Sequence, residues 1–137
     1  MNGMGRALAI GGAGAMLLAL TAASRPAVLG RVSGGLWEVS GLHGAPGQQR
    51  ICVPDTGVFA QIEHRSDACT RTVIRDTGST AEVHYSCSGG RFGQTNLSLI
   101  TPRSLRIETQ GISSDGPFHH VVQARRVGDC ATKTAAH

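Results

Sequence analysis

The chain is short of the features that announce a chemistry. Of 137 residues one is tryptophan, one tyrosine and three phenylalanine, and the cations are almost all arginine, scattered, with Arg125-Arg126 the only adjacent pair. No basic stripe interleaved with aromatics is present to form a nucleic-acid groove, so the loose charges read as a solvated surface. Successive cysteines lie 17, 18 and 43 positions apart, and no CxxC pair opens a zinc site. No serine sits in a GxSxG elbow, and the nine carboxylates offer no close pair for acid–base work. The longest apolar run, residues 7–20, has 14 residues, against roughly 20 for a helix that spans a bilayer. These absences leave the catalytic residues unknown, assign no cofactor and no metal, and favour a chain that is not an enzyme.

What is present begins with an export signal. Residues 1–6 carry Arg6 and no acid, residues 7–20 are unbroken Ala, Leu, Ile, Met and Gly, and Thr21-Ala22-Ala23 supply the small residues a signal peptidase needs. The layout predicts a signal peptide over residues 1–23 and a periplasmic protein. Glycines at 11, 12 and 14 weaken any helix there, and retention of the segment as a short anchor is the alternative. No cysteine lies near position 24 to accept a lipid. Beyond residue 23 the chain keeps 12 Lys and Arg against nine Asp and Glu, a mild basic excess that allows peripheral membrane contact at most.

The remainder reads as a lead-in over 24–34, one β domain over 35–130 and a frayed tail over 131–137. Residues 24–34 contain Pro and Gly without periodicity and are expected to be flexible. Trp37 and Val39 alternate with Glu38 and Ser40, the period-2 pattern of a half-buried strand, and Trp37 is assigned to the core. A second strand is expected over 48–53. Val58, Phe59 and Ile62 then make an apolar stripe that suits one short helix ending near Arg65. Strands follow over 69–75, 81–87, 95–100, 105–110 and 119–127. The fold class expected is mainly β, α+β at most: a single antiparallel meander sheet of about six strands with one short helix, stapled by disulfides.

Turn residues fix two registers. Centring a hairpin on Gly78 pairs residues whose numbers sum to 156, setting Val73 opposite Val83, Arg71 opposite Tyr85 and Cys69 opposite Cys87. A second hairpin around Pro102, with numbers summing to 204, sets Leu97 opposite Ile107 and Leu99 opposite Leu105. Four cysteines in a small exported chain read as a disulfide framework with three possible pairings. The mirrored positions favour Cys69 with Cys87, which leaves Cys52 to pair with Cys130.

Several segments carry a family likeness: Gly35-Leu36-Trp37-Glu38-Val39 opening the domain, Gln49-Arg50-Ile51-Cys52-Val53-Pro54 before the short helix, the four cysteines in order, and Arg125-Arg126-Val127-Gly128-Asp129-Cys130 closing it. Over about residues 34–130 the chain resembles the proteobacterial domain of unknown function 3617 family. The resemblance implies an exported, disulfide-bonded envelope protein of antiparallel β structure, and it brings no activity, substrate or catalytic residue. Val53 stands where such proteins often have a Thr before the helix proline, which removes a side-chain cap.

Chemistry, if any, would centre on histidine. The local candidates are Glu82 with His84 on one strand face, and His119-His120, whose neighbouring side chains point to opposite faces of a sheet. Neither is a metal motif, and His43 and His64 have no assigned role. Residues 88–93, Ser-Gly-Gly-Arg-Phe-Gly, read as a plain β connection rather than an anion cradle, since no helix follows. The favoured function is a non-catalytic binding or structural module of the cell envelope, its ligand or protein partner unidentified and not a nucleic acid. The alternative is a small, metal-assisted periplasmic enzyme.

Overall fold

The computed structural model describes residues 25–131. The expected signal peptide and all but the first residue of the expected tail lie outside the described residues. Seven strands form one antiparallel sheet: β1 (Gly35–Ser40), β2 (Gln48–Val53), β3 (Cys69–Asp76), β4 (Thr80–Cys87), β5 (Phe92–Thr101), β6 (Ser104–Ser113) and β7 (Gly116–Gly128), in the order β2-β1-β7-β6-β5-β4-β3. β3 to β7 are a meander, and the β1–β2 hairpin adds to its last strand. β2 and β3 therefore occupy opposite edges, so the chain between them must cross the sheet. That crossing is the 3₁₀ segment Thr56–His64, packed over β4, β5 and β6.

Side-chain alternation gives the sheet one dry face and one wet face. β4 buries Ala81, Val83, Tyr85 and Cys87 and exposes the residues between them only partly or fully. Cross-strand neighbours line up in rows. One row is Ala81, Leu97, Ile107 and Val122; the next is Val73, Val83, Thr95, Thr109 and His120; the third is Arg71, Tyr85, Gly93, Gly111 and Phe118. Over the first rows sits the core, with Val28, Leu29, Trp37, Phe59 and Ile62 fully buried. Trp37 meets Phe59 edge to face, ring centroids 4.9 Å apart, and donates its indole N–H to the Ser33 carbonyl at 3.2 Å.

One expectation is corrected and two are refined. The segment read as a flexible lead-in is packed: the one-turn helix α1 (Ala27–Gly30) places Val28 and Leu29 in the core, and Ala27 N–H donates to Asp76 at 2.7 Å. A four-residue helix is too short to show a period, which is why the pattern was silent. The expected short helix is of the 3₁₀ type, broken at Gln61, whose amide donates to the carbonyls of His64 (2.9 Å) and Asp67 (3.0 Å). Its start does have a side-chain cap: Asp55, two positions past Val53, accepts from Gly57 N–H at 2.8 Å. The sheet is the expected antiparallel one, with seven strands, and β5, β6 and β7 run further than expected, β6 and β7 meeting at a tight turn at Ser114 and Asp115.

Both hairpin registers follow the turn arithmetic, with Val73 opposite Val83 and Leu97 opposite Ile107; the pairing slips by one past Val73 at a bulge. Cys69 and Cys87 face each other across β3 and β4 and are bonded, their Cα atoms 4.0 Å apart. Cys52 is bonded to Cys130, Cα atoms 5.3 Å apart. Leu36 pairs with Cys52 on one side and Gly128 on the other, so this second bond bridges across β1 and ties the N-terminal hairpin to the last strand.

Candidate binding cleft

The third row of the inner face departs from a hydrophobic core because two of its members are glycine. Gly93 and Gly111 are paired across β5 and β6. A methyl group on Gly93 would overlap the Tyr85 ring and hydroxyl, and one on Gly111 would overlap the Phe92 carbonyl. The glycines thus let Tyr85 lie along the sheet. His64, at the end of the 3₁₀ segment, settles beside it, its ring 5.5 Å from Tyr85 and 5.6 Å from Phe118. Phe118 stacks on His120 almost in parallel, at 6° and 5.7 Å, and His120 is 5.2 Å from His43.

Of these rings His43, His64 and Phe118 line a half-open cleft of about 530 Å³, within the 300–1,000 Å³ range of small-molecule sites. Four connections that meet at this end of the sheet complete it: the β1–β2 loop with His43 and Ala45, residues 63–67 after the 3₁₀ segment, Arg91 from the β4–β5 turn, and residues 113–115 of the β6–β7 turn. Its charged lining is balanced, with Arg50, Arg65 and Arg91 against Glu63, Asp67 and Asp115. Arg91 is paired to Asp67 at 3.2 Å, and Arg50 reaches Glu38 at 3.2 Å.

Beneath the cleft runs a buried polar line. Thr95 and Thr109 hydroxyls lie 3.2 Å apart, Thr109 bonds the Tyr85 hydroxyl, and that hydroxyl shares a 2.8 Å hydrogen bond with His64 Nδ1. Burial pushes the Tyr85 phenol up to about 12; the Thr109 bond opposes the shift and the nearby Glu63 and Asp67 charges reinforce it. Tyr85 is therefore a neutral hydroxyl at physiological pH. His64 is 5% exposed, and its other nitrogen, Nε2, is buried without a partner, as are Glu63 Oε1 and His120 Nε2. Buried polar atoms cost about 1–3 kcal/mol when unpaired, and two of these three belong to residues that line the cleft, Glu63 and His64.

The histidines singled out from sequence separate. His84 Nε2 lies 3.0 Å from Glu82 Oε1, which also accepts from Gln94, and His119 lies 3.0 Å from Glu108, which Arg106 also contacts. Both pairs are on the outer face. There His119 and Arg106 hold the Glu108 carboxyl below its ordinary range, as Arg125 and Arg50 do for Glu38. His120 points to the opposite face, where its ring meets Phe118 and His43. Arg91, in the connection weighed as an anion cradle, already holds Asp67. His64 and the Gly93–Gly111 pair had no place in the sequence reading. The sum of 204 that sets Leu97 against Ile107 also sets Thr95 against Thr109 and Gly93 against Gly111, and would have found the row had it been carried outward.

Among the described residues, no three His, Cys, Asp or Glu side chains gather as metal ligands, and no helix is long and apolar enough to cross a membrane. No curated protein and no solved structure matches the chain. A family model described as a protein of unknown function matches residues 31–130, a span that contains every residue lining the cleft, and by that match the chain belongs to the DUF3617 family.

Proposed function

We propose that the protein is an exported, non-catalytic binding module of the cell envelope, and that its ligand enters the cleft between residues 41–49, 63–67 and 113–118. The observation that carries this reading is the pair of neighbouring residues Glu63 and His64, each lining the cleft and each with a buried polar atom that no protein group satisfies. The sheet supplies a rigid floor and two disulfides hold its ends, which suits a preorganised receptor in an oxidising compartment. The signal-like residues 1–23 support export.

A single preparation tests both halves of the reading. Protein recovered from a bacterial periplasm should have an intact mass short by about 23 residues and lower by four protons for two disulfides. The low-molecular-weight fraction of the same periplasm should raise its melting temperature, because a ligand that binds only the native state stabilises it. It should not raise that of the Ala45→Trp variant, whose side chain fills the cleft. A full-length, reduced product from the cytoplasm would refute export, and an equal rise in Ala45→Trp would refute the cleft.

A further inference from the structure

We propose a second binding site, independent of the cleft and at the opposite end of the sheet, for the phosphate group of an anionic ester. A concavity of about 520 Å³ opens there between the β5–β6 turn and the end of β7, lined by Thr101, Arg103, Ser104, Arg125, Arg126 and Val127. Turn and strand are locked to each other. Arg126 N–H donates to the Arg103 carbonyl at 2.8 Å, and Ser104 pairs with Arg125 across β6 and β7. The cleft sets three arginines against three carboxylates, whereas this lining holds three arginines and no acid.

The surroundings do not neutralise these arginines. Among the described residues no hydrogen bond or ion pair holds the exposed Arg103 side chain. Arg125 Nη2 donates to Glu38 at 3.1 Å, but Glu38 is shared with Arg50 at 3.2 Å. Arg126 donates from Nε to the Gly34 carbonyl at 3.0 Å and from Nη2 to Asp129 at 2.5 Å. Arg50, Arg103, Arg125 and Arg126 are thus accompanied by two carboxylates, Glu38 and Asp129, which leaves two positive charges in excess. A concave surface of one sign concentrates ions of the other.

The free donors select the kind of anion. A guanidinium carries five N–H donors in a planar fork and accepts nothing; Arg103 has all of its donors unused, and Arg125 commits one. The Thr101 and Ser104 hydroxyls lie 2.8 Å apart, so their mutual bond takes one of the two protons and leaves the other to donate outward. Arg103 N–H donates to the Thr101 oxygen at 3.1 Å, which fixes the turn around this pair. Forked N–H and O–H donors around one concavity suit a group with three or four acceptor oxygens. A phosphate ester has them; a carboxylate has two, and leaves donors unused. Ile100, the unpaired residue of the β5 bulge, is 60% exposed beside Thr101. It offers apolar surface to the organic part of the ester.

The test is NMR titration of the disulfide-bonded protein with inorganic phosphate, glycerol 3-phosphate and acetate, reading the backbone amide signals of Arg103, Ser104 and Arg126. Ionic strength is held fixed, because salt screens exposed charges. Saturable shifts at this turn are expected with both phosphates, and weaker ones with acetate. Arg103→Gln should weaken glycerol 3-phosphate binding about tenfold, a loss of about 1.4 kcal/mol. Arg75→Gln, on the edge strand β3, should leave it unchanged. Thermal melts alongside establish that both variants are folded. Equal weakening in the two variants would reduce the effect to diffuse net charge and overturn the site. Acetate shifts as strong as those with phosphate would overturn the ligand class. Phosphate shifts at His64 and Phe118 in place of the turn, or no saturable shift at all, would overturn both while leaving the cleft untouched. Vesicles then identify the source of the phosphate. Co-sedimentation with phosphatidylglycerol and not phosphatidylcholine, lost in Arg103→Gln, points to a lipid headgroup; co-sedimentation with neither points to a soluble ester.

Discussion

The two ends of one sheet face make the most instructive contrast in this molecule. At the end near the β5–β6 turn the inner rows read Leu99 and Leu105, then Ala81, Leu97, Ile107 and Val122, under a cover of Val28, Leu29, Trp37 and Phe59. Two rows further along, the same four strands present Tyr85, Gly93, Gly111 and Phe118, with two threonines between. The strands do not change direction or pairing. What changes is side-chain volume and polarity: the first end is filled with aliphatic side chains and holds the fold, whereas at the second the glycines make room for the Tyr85 ring and Phe118 and His64 border the cleft. A protein with few aromatics places Trp37, Phe59 and Tyr85 in its interior and Phe118 in the cleft wall.

The sharpest way to break this contrast is to damage the filled end. Phe59 is fully buried against Trp37, and Phe59→Ala should cost about 3–5 kcal/mol through lost burial and a residual cavity. That is a large part of the 5–15 kcal/mol typical of a domain. Denaturant unfolding followed by Trp37 fluorescence measures it directly. A cost below about 1 kcal/mol would mean that this end is not the stabilising one.

A smaller effect is expected from the threonines that separate the two ends. Both hydroxyls are fully buried and bonded to each other. Thr109→Val keeps the shape but strands the Thr95 hydroxyl, for a cost of about 1–2 kcal/mol. Adding Thr95→Val removes the stranded group and should recover part of that cost. A double variant as unstable as the sum of the singles would show that the hydroxyl pair does not act as a unit.

The difference between the ends also explains what was legible in the sequence. Filled rows announce themselves: Trp37 and Val39 alternate with polar residues, and the leucines of β5 and β6 pair by arithmetic once Pro102 marks the turn. The family was legible from the opening and closing motifs. The hollowed end was not, because glycine in a strand looks like a turn. Gly93 falls in the segment 88–93 read as a connection, and Gly111 lies just past the strand expected over 105–110, though both are paired within strands. His64 was invisible for another reason. Its neighbours Tyr85 and Phe118 lie 21 and 54 positions away, brought together only by the crossing of the sheet. The outer-face pair Glu82 with His84 lies within one strand, so a local pattern is enough to single it out, whereas nothing local gives His64 a role.

The last prediction probes the hollowed end without perturbing the fold. Tyr85 is the only tyrosine, so the ultraviolet absorbance of phenolate reports on it alone. Burial disfavours the charged form, and Glu63 and Asp67 add negative charge nearby, so the phenol should titrate at about 12, two units above an exposed tyrosine at about 10. The folded state then retains a proton that the unfolded chain releases between those values. Stability from this group is complete below about pH 10 and is lost as pH rises toward 12, the direction set by a raised acid. Because the Thr109 bond favours the phenolate, Thr109→Val should move the titration higher still, even as it lowers stability at neutral pH. An unshifted titration near 10 in the folded protein would place Tyr85 in open solvent, and would remove the buried line of Thr95, Thr109, Tyr85 and His64 on which the cleft rests.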